Sequence, residues 1–209
     1  MKSHQGPVGR KDTAMKKSYI NRNKDEYYTP AILVEPILEY AKGKKVWCPF
    51  DTEKSEFVRL LKANGCEVIW SHLADGKDFF QYEPEEEYDC IISNPPFSRK
   101  IEVFERLYDL GKPFAMLMNI ECLNYQVVGN MFYNHDSDLQ LLIVDKKVSY
   151  DGKMAMFNSS YFCKEMLPQS LVFKHLEHNN SGKHFCPSTM YQDKEYIERA
   201  IASTEQAVA

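Results

Sequence analysis

No apolar run in these 209 residues reaches the roughly 18 needed for a bilayer-spanning helix, so a membrane segment is not expected. The N-terminal stretch is polar and basic without an apolar h-region, which argues against a secretory signal. Cysteine is sparse, six in all, and no two share the spacing of a disulfide framework or a zinc site. Cys48 and Cys90 sit inside strand-like runs and Cys66 follows a predicted helix end, places where a free thiol acts as a small hydrophobe. Cys163, His178, His184 and Cys186 fit no zinc pattern, so no metal is expected. These absences together point to a reducing cytoplasm. Internal repeats and low-complexity tracts are missing too. What remains is ordinary for a soluble globular protein, 44% apolar and 27% charged, at a length that suits one α/β domain with a full core.

Charge is unevenly spread. Among residues 1–24, Lys2, Arg10, Lys11, Lys16, Lys17, Arg22 and Lys24 stand against Asp12 alone, a net +6 in a chain of net −4. Acidic residues concentrate from Asp75 to Asp89. A basic arm on an acidic body suits nucleic-acid phosphates, and it also suits a solubilising leader. Residues 1–24 are read as a flexible basic arm, 25–176 as the main α/β domain, and 177–209 as a loop and helix packed on that domain.

Within 25–176 the pattern alternates strand and helix. Thr29 reads as an N-cap with Pro30 at the first helical position, opening a helix to about Ala41 that Gly43 closes. Pro36 inside it implies a kink or a restart. A short strand over 45–50 is followed by a helix capped by Asp51 or Thr52, with Phe57, Leu60 and Leu61 on one face and Asn64-Gly65 at its end. Further strands are predicted over 66–70, 88–93, 114–118, 139–144 and 170–173, and a helix capped by Ser98 turns Ile101, Phe104, Leu107 and Tyr108 inward before Gly111 stops it. Alternation of this kind means βαβ units and a mostly parallel, twisted sheet with helices on both faces. Only a loop joins the last two strands, so an antiparallel pair is expected at one edge. Open parallel sheets take ligands beyond the carboxyl ends of their strands, where Asp51, Ser71, Asn94 and Asn119 fall.

Asn94-Pro95-Pro96-Phe97, closing the apolar run 88–93, is the most informative point in the chain. A side-chain amide, a stiff backbone carbonyl and a flat ring meet there. The two prolines fix φ and remove two N–H donors, which leaves a rigid turn with outward carbonyls. Such a set can hold a planar amino group and draw its two N–H bonds out of plane. Four residues also read as a plain Pro-Pro turn after an edge strand. The turn resembles the catalytic motif of S-adenosylmethionine-dependent amino-group methyltransferases, and its Phe variant resembles that of the DNA adenine-N6 enzymes. Other segments resemble that family's remaining motifs, in its order, over roughly residues 25–176. Asp25-Glu26-Tyr27-Tyr28-Thr29-Pro30 is similar to the segment that folds over the methionine part of the cofactor, which implicates Tyr28, Thr29 and Pro30. Lys77-Asp78-Phe79-Phe80 is similar to the motif in which an Asp accepts from the cofactor adenine amino group beside an aromatic, here Asp78 and Phe79. Residues 157–162 stand where the family places a late loop facing the target base, implying contacts from Asn158 and Tyr161. The order, cofactor segment before Asn-Pro-Pro-Phe, resembles that of the family's class with the cofactor motifs first, and several compact phage-encoded members look similar overall.

The resemblance implies a Rossmann-like methyltransferase fold and methyl transfer from S-adenosylmethionine to the exocyclic amino group of a flipped adenine in DNA. The Asn94 side-chain oxygen and the Pro95 carbonyl each accept one N6–H, favouring a tetrahedral nitrogen, as preorganised electrostatics, and alignment of the two reactants supplies much of the rest. No strong base is required and none is evident. Pro96 stiffens the turn, and Phe97 stacks on a base that must leave the helix to reach it. Tyr161, Tyr125 or Tyr28 could supply a second contact. One departure stands out. The first-strand turn of the family usually reads acidic-Pro-Phe-x-Gly-x-Gly, whereas here it is Cys48-Pro49-Phe50-Asp51-Thr52-Glu53-Lys54. Pro49 and Phe50 are kept and implied at the cofactor, Cys48 replaces the acid, and both glycines are gone. Asp51 could pair with the methionine ammonium, with helix capping as its competing role. Ser71 and His72 stand where an acid often holds the ribose hydroxyls. An RNA adenine methyltransferase, a protein-glutamine methyltransferase (generally Tyr in place of Phe97) and a decayed methylase serving as a binding or inhibitor protein remain open. No sizeable target-reading insertion is present.

Overall fold

The computed structural model describes residues 28–135, 138–150 and 158–176. The predicted arm over 1–24 and the predicted segment over 177–209 lie outside these residues.

Strand runs such as Cys90-Ile91-Ile92 and Phe114-Ala115-Met116-Leu117-Met118 have no polar face, because both sides of the sheet they form are covered. The sheet contains β1 (Lys45–Cys48), β2 (Glu67–Trp70), β3 (Cys90–Ser93), β4 (Phe114–Asn119), β5 (Gln140–Val144), β6 (Ser159–Lys164) and β7 (Leu171–Lys174), in the order β2-β1-β3-β4-β6-β5-β7. The first four are parallel. Alternate side chains divide between two cores. Val46, Cys48, Cys90, Ile92, Ala115, Leu117 and Tyr161 pack with α1 (Ala31–Ala41) and α2 (Glu56–Ala63). Trp47, Ile91, Phe114, Met116 and Phe162 pack with α3 (Lys100–Leu110) and α4 (Gln126–Asn134). Each fully buried Leu, Ile or Phe in these layers contributes roughly 1.5–3 kcal/mol.

Four local expectations change. β7 pairs parallel with β5, and the antiparallel member is β6, wedged between β4 and β5. The segment expected as a late loop is therefore, from Ser159 onward, a strand paired on both sides. Its serines and lysine conceal it from a search for apolar runs. The helix α1 has Pro30 rather than Thr29 at its N-cap, makes no side-chain cap, and runs through Pro36 without restarting. The second helix begins at Glu56, after a turn in which Thr52 N donates to Ser55 Oγ at 2.9 Å, so neither Asp51 nor Thr52 caps it. The third begins at Lys100 after a short 3-10 turn over Phe97–Arg99, so Ser98 is not its cap, and Gly111 ends it at φ 63°, a left-handed conformation that favours glycine.

The five described cysteines, Cys48, Cys66, Cys90, Cys122 and Cys163, are free and buried. His178, His184 and Cys186 lie outside the described residues, among which no group of His, Cys, Asp or Glu could hold a metal ion. No described helix is long and apolar enough to cross a membrane.

Candidate functional site

Three parallel strands bring their carboxyl ends to one edge: β1 delivers Pro49, Phe50 and Asp51, β3 delivers Asn94 and the two prolines, and β4 delivers Asn119. Because β6 runs the other way, its beginning reaches the same edge, with Ser159 opposite Asn119.

At the centre, the Asn94 Nδ2 donates to Thr29 Oγ1 at 3.1 Å. Its Oδ1 is buried and has no partner among the described residues. Buried acceptors are nearly always satisfied, and leaving one open costs about 1–3 kcal/mol. Pro95 is buried, whereas Pro96 and Phe97 are half-buried. The Lys100 ammonium lies 3.4 Å from the Phe97 carbonyl oxygen and 5.2 Å from the centroid of the Tyr125 ring. Tyr125 and Tyr28 are the exposed aromatics on these approach segments, at 52% and 69% exposure.

Beside Asn94, Ser93 Oγ donates to Asp51 Oδ2 at 2.5 Å, linking the ends of β3 and β1. Asp51 is only 6% exposed, and burial pushes its carboxyl up from 3.8 to about 6 against the opposing hydrogen bonds from Ser93 and Ser55. Among the described residues no Lys or Arg pairs with it. A carboxyl in that condition gains from any cation brought alongside.

A third group lies beyond Phe50. Phe79 packs at 4.8 Å from Phe50 and 5.6 Å from Trp47, as centroid distances, and is itself almost wholly buried. Asp78 Oδ1 accepts from the Phe80 backbone N–H at 3.1 Å, and its carbonyl accepts from Gln81 and Tyr82 at 2.8 and 2.7 Å, so residues 78–82 form a tight turn. The third helix pins this turn from below. Arg106 Nη2 donates to the Tyr82 carbonyl at 3.2 Å, and the Arg99 guanidinium stacks 3.6 Å over the Phe80 ring.

No protein-family model and no curated protein matches the chain. Solved structures do. A protein assigned as a modification subunit of a type I restriction enzyme from Vibrio vulnificus YJ016 matches at 10% identity with a TM-score of 0.50, over 90% of this chain and 56% of that one. The methyltransferase subunit of a type I restriction-modification system from Streptococcus thermophilus matches at 10% identity with a TM-score of 0.49, over 87% of this chain and 53% of that one. A protein assigned as a class I S-adenosylmethionine-dependent methyltransferase from Listeria monocytogenes matches at 12% identity with a TM-score of 0.41, over 82% and 68%. The chain spans about half the length of the first two. The fold is the α/β Rossmann-like methyltransferase fold.

On that fold, Thr29, Pro30, Pro49, Phe50, Asp51, Asn94, Pro95, Pro96 and Phe97 sit on adjoining segments at the strand ends. Tyr161 does not join them. It lies inside β6, fully buried, with its hydroxyl donating to the Leu33 carbonyl at 2.7 Å and its ring edge-on to Phe57, so the expected contact with a base is replaced by a core role. Asn158 is at the edge, where its Nδ2 donates to Glu121 Oε1 at 3.2 Å. Ser71 Oγ accepts from Trp47 Nε1 at 3.0 Å, and His72 Nδ1 accepts from the Ala74 N–H at 3.1 Å, a cap on the following 3-10 turn. Sequence reasoning missed Ser93, although a serine ending an otherwise apolar strand was a visible signal. It also missed Lys100, Arg99 and Arg106, which carry no local signal because their partners are distant in sequence.

Proposed function

We propose that this chain is an S-adenosylmethionine-dependent methyltransferase acting on the exocyclic N6 amino group of an adenine flipped out of DNA. The observation that carries this reading is Asn94 Oδ1, a buried acceptor without a partner among the described residues, beside the Pro95 carbonyl at the end of a central strand. An amino group has two N–H bonds to give, and these are two acceptors. Asn94 and Pro95 hold it with its nitrogen drawn toward a tetrahedral shape as charge develops. Pro96 keeps the carbonyl from swinging, Phe97 stacks on the flipped base, and Asn158 and Tyr125 stand at the rim where flanking groups pass.

The residues present fit the cofactor as well as the base. Asp51, a buried carboxyl raised to about 6 that a cation alongside would keep ionised, suits the methionine ammonium; Tyr28, Thr29 and Pro30 cover the methionine part; Asp78 accepts from the cofactor adenine amino group; Pro49, Phe50 and Phe79 form the apolar wall beside it. S-adenosylmethionine bound there supplies an electrophilic methyl group on a sulfonium. DNA as substrate is supported by the basic composition of residues 1–24 and by the restriction-enzyme modification subunit that shares the fold. The buried free thiols suit a reducing cytoplasm.

One observation favours a second reading. Gly is absent from the turn Cys48–Lys54, and a turn with side chains at every position keeps the backbone farther from a ligand, as in a binding protein built on a decayed methylase. The test is methyl transfer from labelled cofactor to duplex DNA, single-stranded DNA and RNA, with calorimetry of cofactor binding alongside. Label on adenine N6 of DNA is the expected result. Label confined to RNA changes the substrate, and no cofactor binding in calorimetry supports the decayed-methylase reading.

A further inference from the structure

We propose that Thr29 is a positioning residue that holds the Asn94 amide in place with Oδ1 toward the reacting amino group. The inference rests on the methyltransferase reading above and deepens it. An asparagine amide has two nearly isosteric ends, an acceptor and a donor, and only the acceptor can draw an N–H of the substrate out of plane. A flipped Asn94 would present two N–H groups to a group that itself has N–H to give, and the site would repel its substrate.

Among the described residues, this side chain makes one hydrogen bond, Nδ2 to Thr29 Oγ1 at 3.1 Å. Thr29 is 8% exposed, so water does not compete strongly for its hydroxyl. It lies directly before Pro30, the N-cap of α1, whose φ of −65° and ψ of 143° hold the segment extended ahead of the helix. With Nδ2 held by the Thr29 hydroxyl, Oδ1 is the end of the amide left for the site. A residue 65 positions away in sequence thereby anchors the central amide. In this role Thr29 acts through Asn94.

The test uses Thr29→Val, which keeps the shape and removes the hydroxyl, and Thr29→Ser, which restores it. With cofactor saturating, Thr29→Val lowers kcat on the order of tenfold while the KM for DNA holds, and Thr29→Ser returns most of the rate. In an Asn94→Ala background Thr29→Val has no further effect. A kcat loss that vanishes at saturating cofactor, that Ser does not rescue, or that persists in the Asn94→Ala background overturns the proposal. Wild type, Thr29→Val, Asn94→Ala and the double variant in urea unfolding read the contact without any activity: stability coupling between positions 29 and 94 is expected, and its absence overturns the proposal directly. Coupling in a wild-type protein that binds cofactor yet transfers no methyl group overturns the function first, and leaves Thr29 a structural partner only, which overturns the positioning role with it.

Discussion

Asn94 and Asp51 are both held in states that cost free energy in the free protein, and each cost points at what the residue meets. The open Asn94 acceptor is relieved only by a donor. Asn94→Ala should therefore lower kcat/KM by roughly 2.7–4 kcal/mol, as for loss of one preorganised hydrogen-bonding group, with cofactor affinity nearly unchanged in calorimetry. Wild-type turnover in this variant removes Asn94 from the mechanism. For Asp51 the sign follows from the direction of the shift. Its carboxyl is raised from 3.8 to about 6, so between those values the folded state binds the proton more tightly than the unfolded state. The associated stability is present below about pH 4 and is lost as pH rises through 6, by about 3 kcal/mol. Urea unfolding across pH 4 to 7 should show that decline in the wild type, and Asp51→Asn should flatten it. Cofactor affinity should run the other way. An ammonium pairs with the ionised form, so binding weakens about tenfold per pH unit below 6, and Asp51→Asn binds weakly with little dependence on pH. Affinity that is level across this range in the wild type separates Asp51 from the ammonium.

Short connecting segments, rather than regular helices and strands, decide this site, and they divide sharply in how legible they were. The turn after β3 was plain because two consecutive prolines end an apolar run and can continue neither strand nor helix. Strand ends were likewise readable, which is why Asp51, Asn94 and Asn119 were placed on one edge before any geometry. Helix caps were not. Thr29 and Asp51 have the side chains of good N-caps, yet both oxygens serve tertiary partners, Asn94 for one and Ser93 for the other. Local propensity lost to the site at the two positions where the site needs those oxygens. Arg99 and Arg106 are invisible for the complementary reason: their roles lie across space, holding the turn 78–82 from α3 and the short turn before it. The aromatic end of the turn over 94–97 gives the prediction at this scale. Phe97 is half-buried, so part of its ring is available to a base, and stacking on it is worth roughly 1–3 kcal/mol. Phe97→Ala should lower kcat/KM for DNA by that amount, and Phe97→Trp should keep most of it. A fluorescent adenine analogue at the target position should brighten on binding the wild type and less with Phe97→Ala. Equal brightening in both sets the flipped base elsewhere.

The sheet as assembled depends on β6. This strand enters between β4 and β5 against the direction of both, joining the parallel half that carries the site to the β5–β7 edge. It is hidden in the sequence, as is α4, since Ser159, Ser160 and Lys164 interrupt its apolar character and nothing local announces an antiparallel insertion. Tyr161 shows what the strand does for the molecule. Its ring fills the layer under α1 and α2, and its hydroxyl reaches the Leu33 carbonyl of α1, tying the sheet to the helix that follows Thr29 and Pro30. A residue in this role should act on stability and not on recognition. Tyr161→Phe removes one buried hydrogen bond, so unfolding free energy should fall by roughly 0.5–1.5 kcal/mol. Tyr161→Ala leaves a cavity under α1 as well and should cost about 3–5 kcal/mol. Because α1 begins beside Thr29, any activity lost in Tyr161→Phe should track the folded fraction across a urea series, with the KM for DNA unchanged throughout. A rise in that KM without loss of stability would return Tyr161 to the substrate pocket, and would require β6 to leave the sheet to get there.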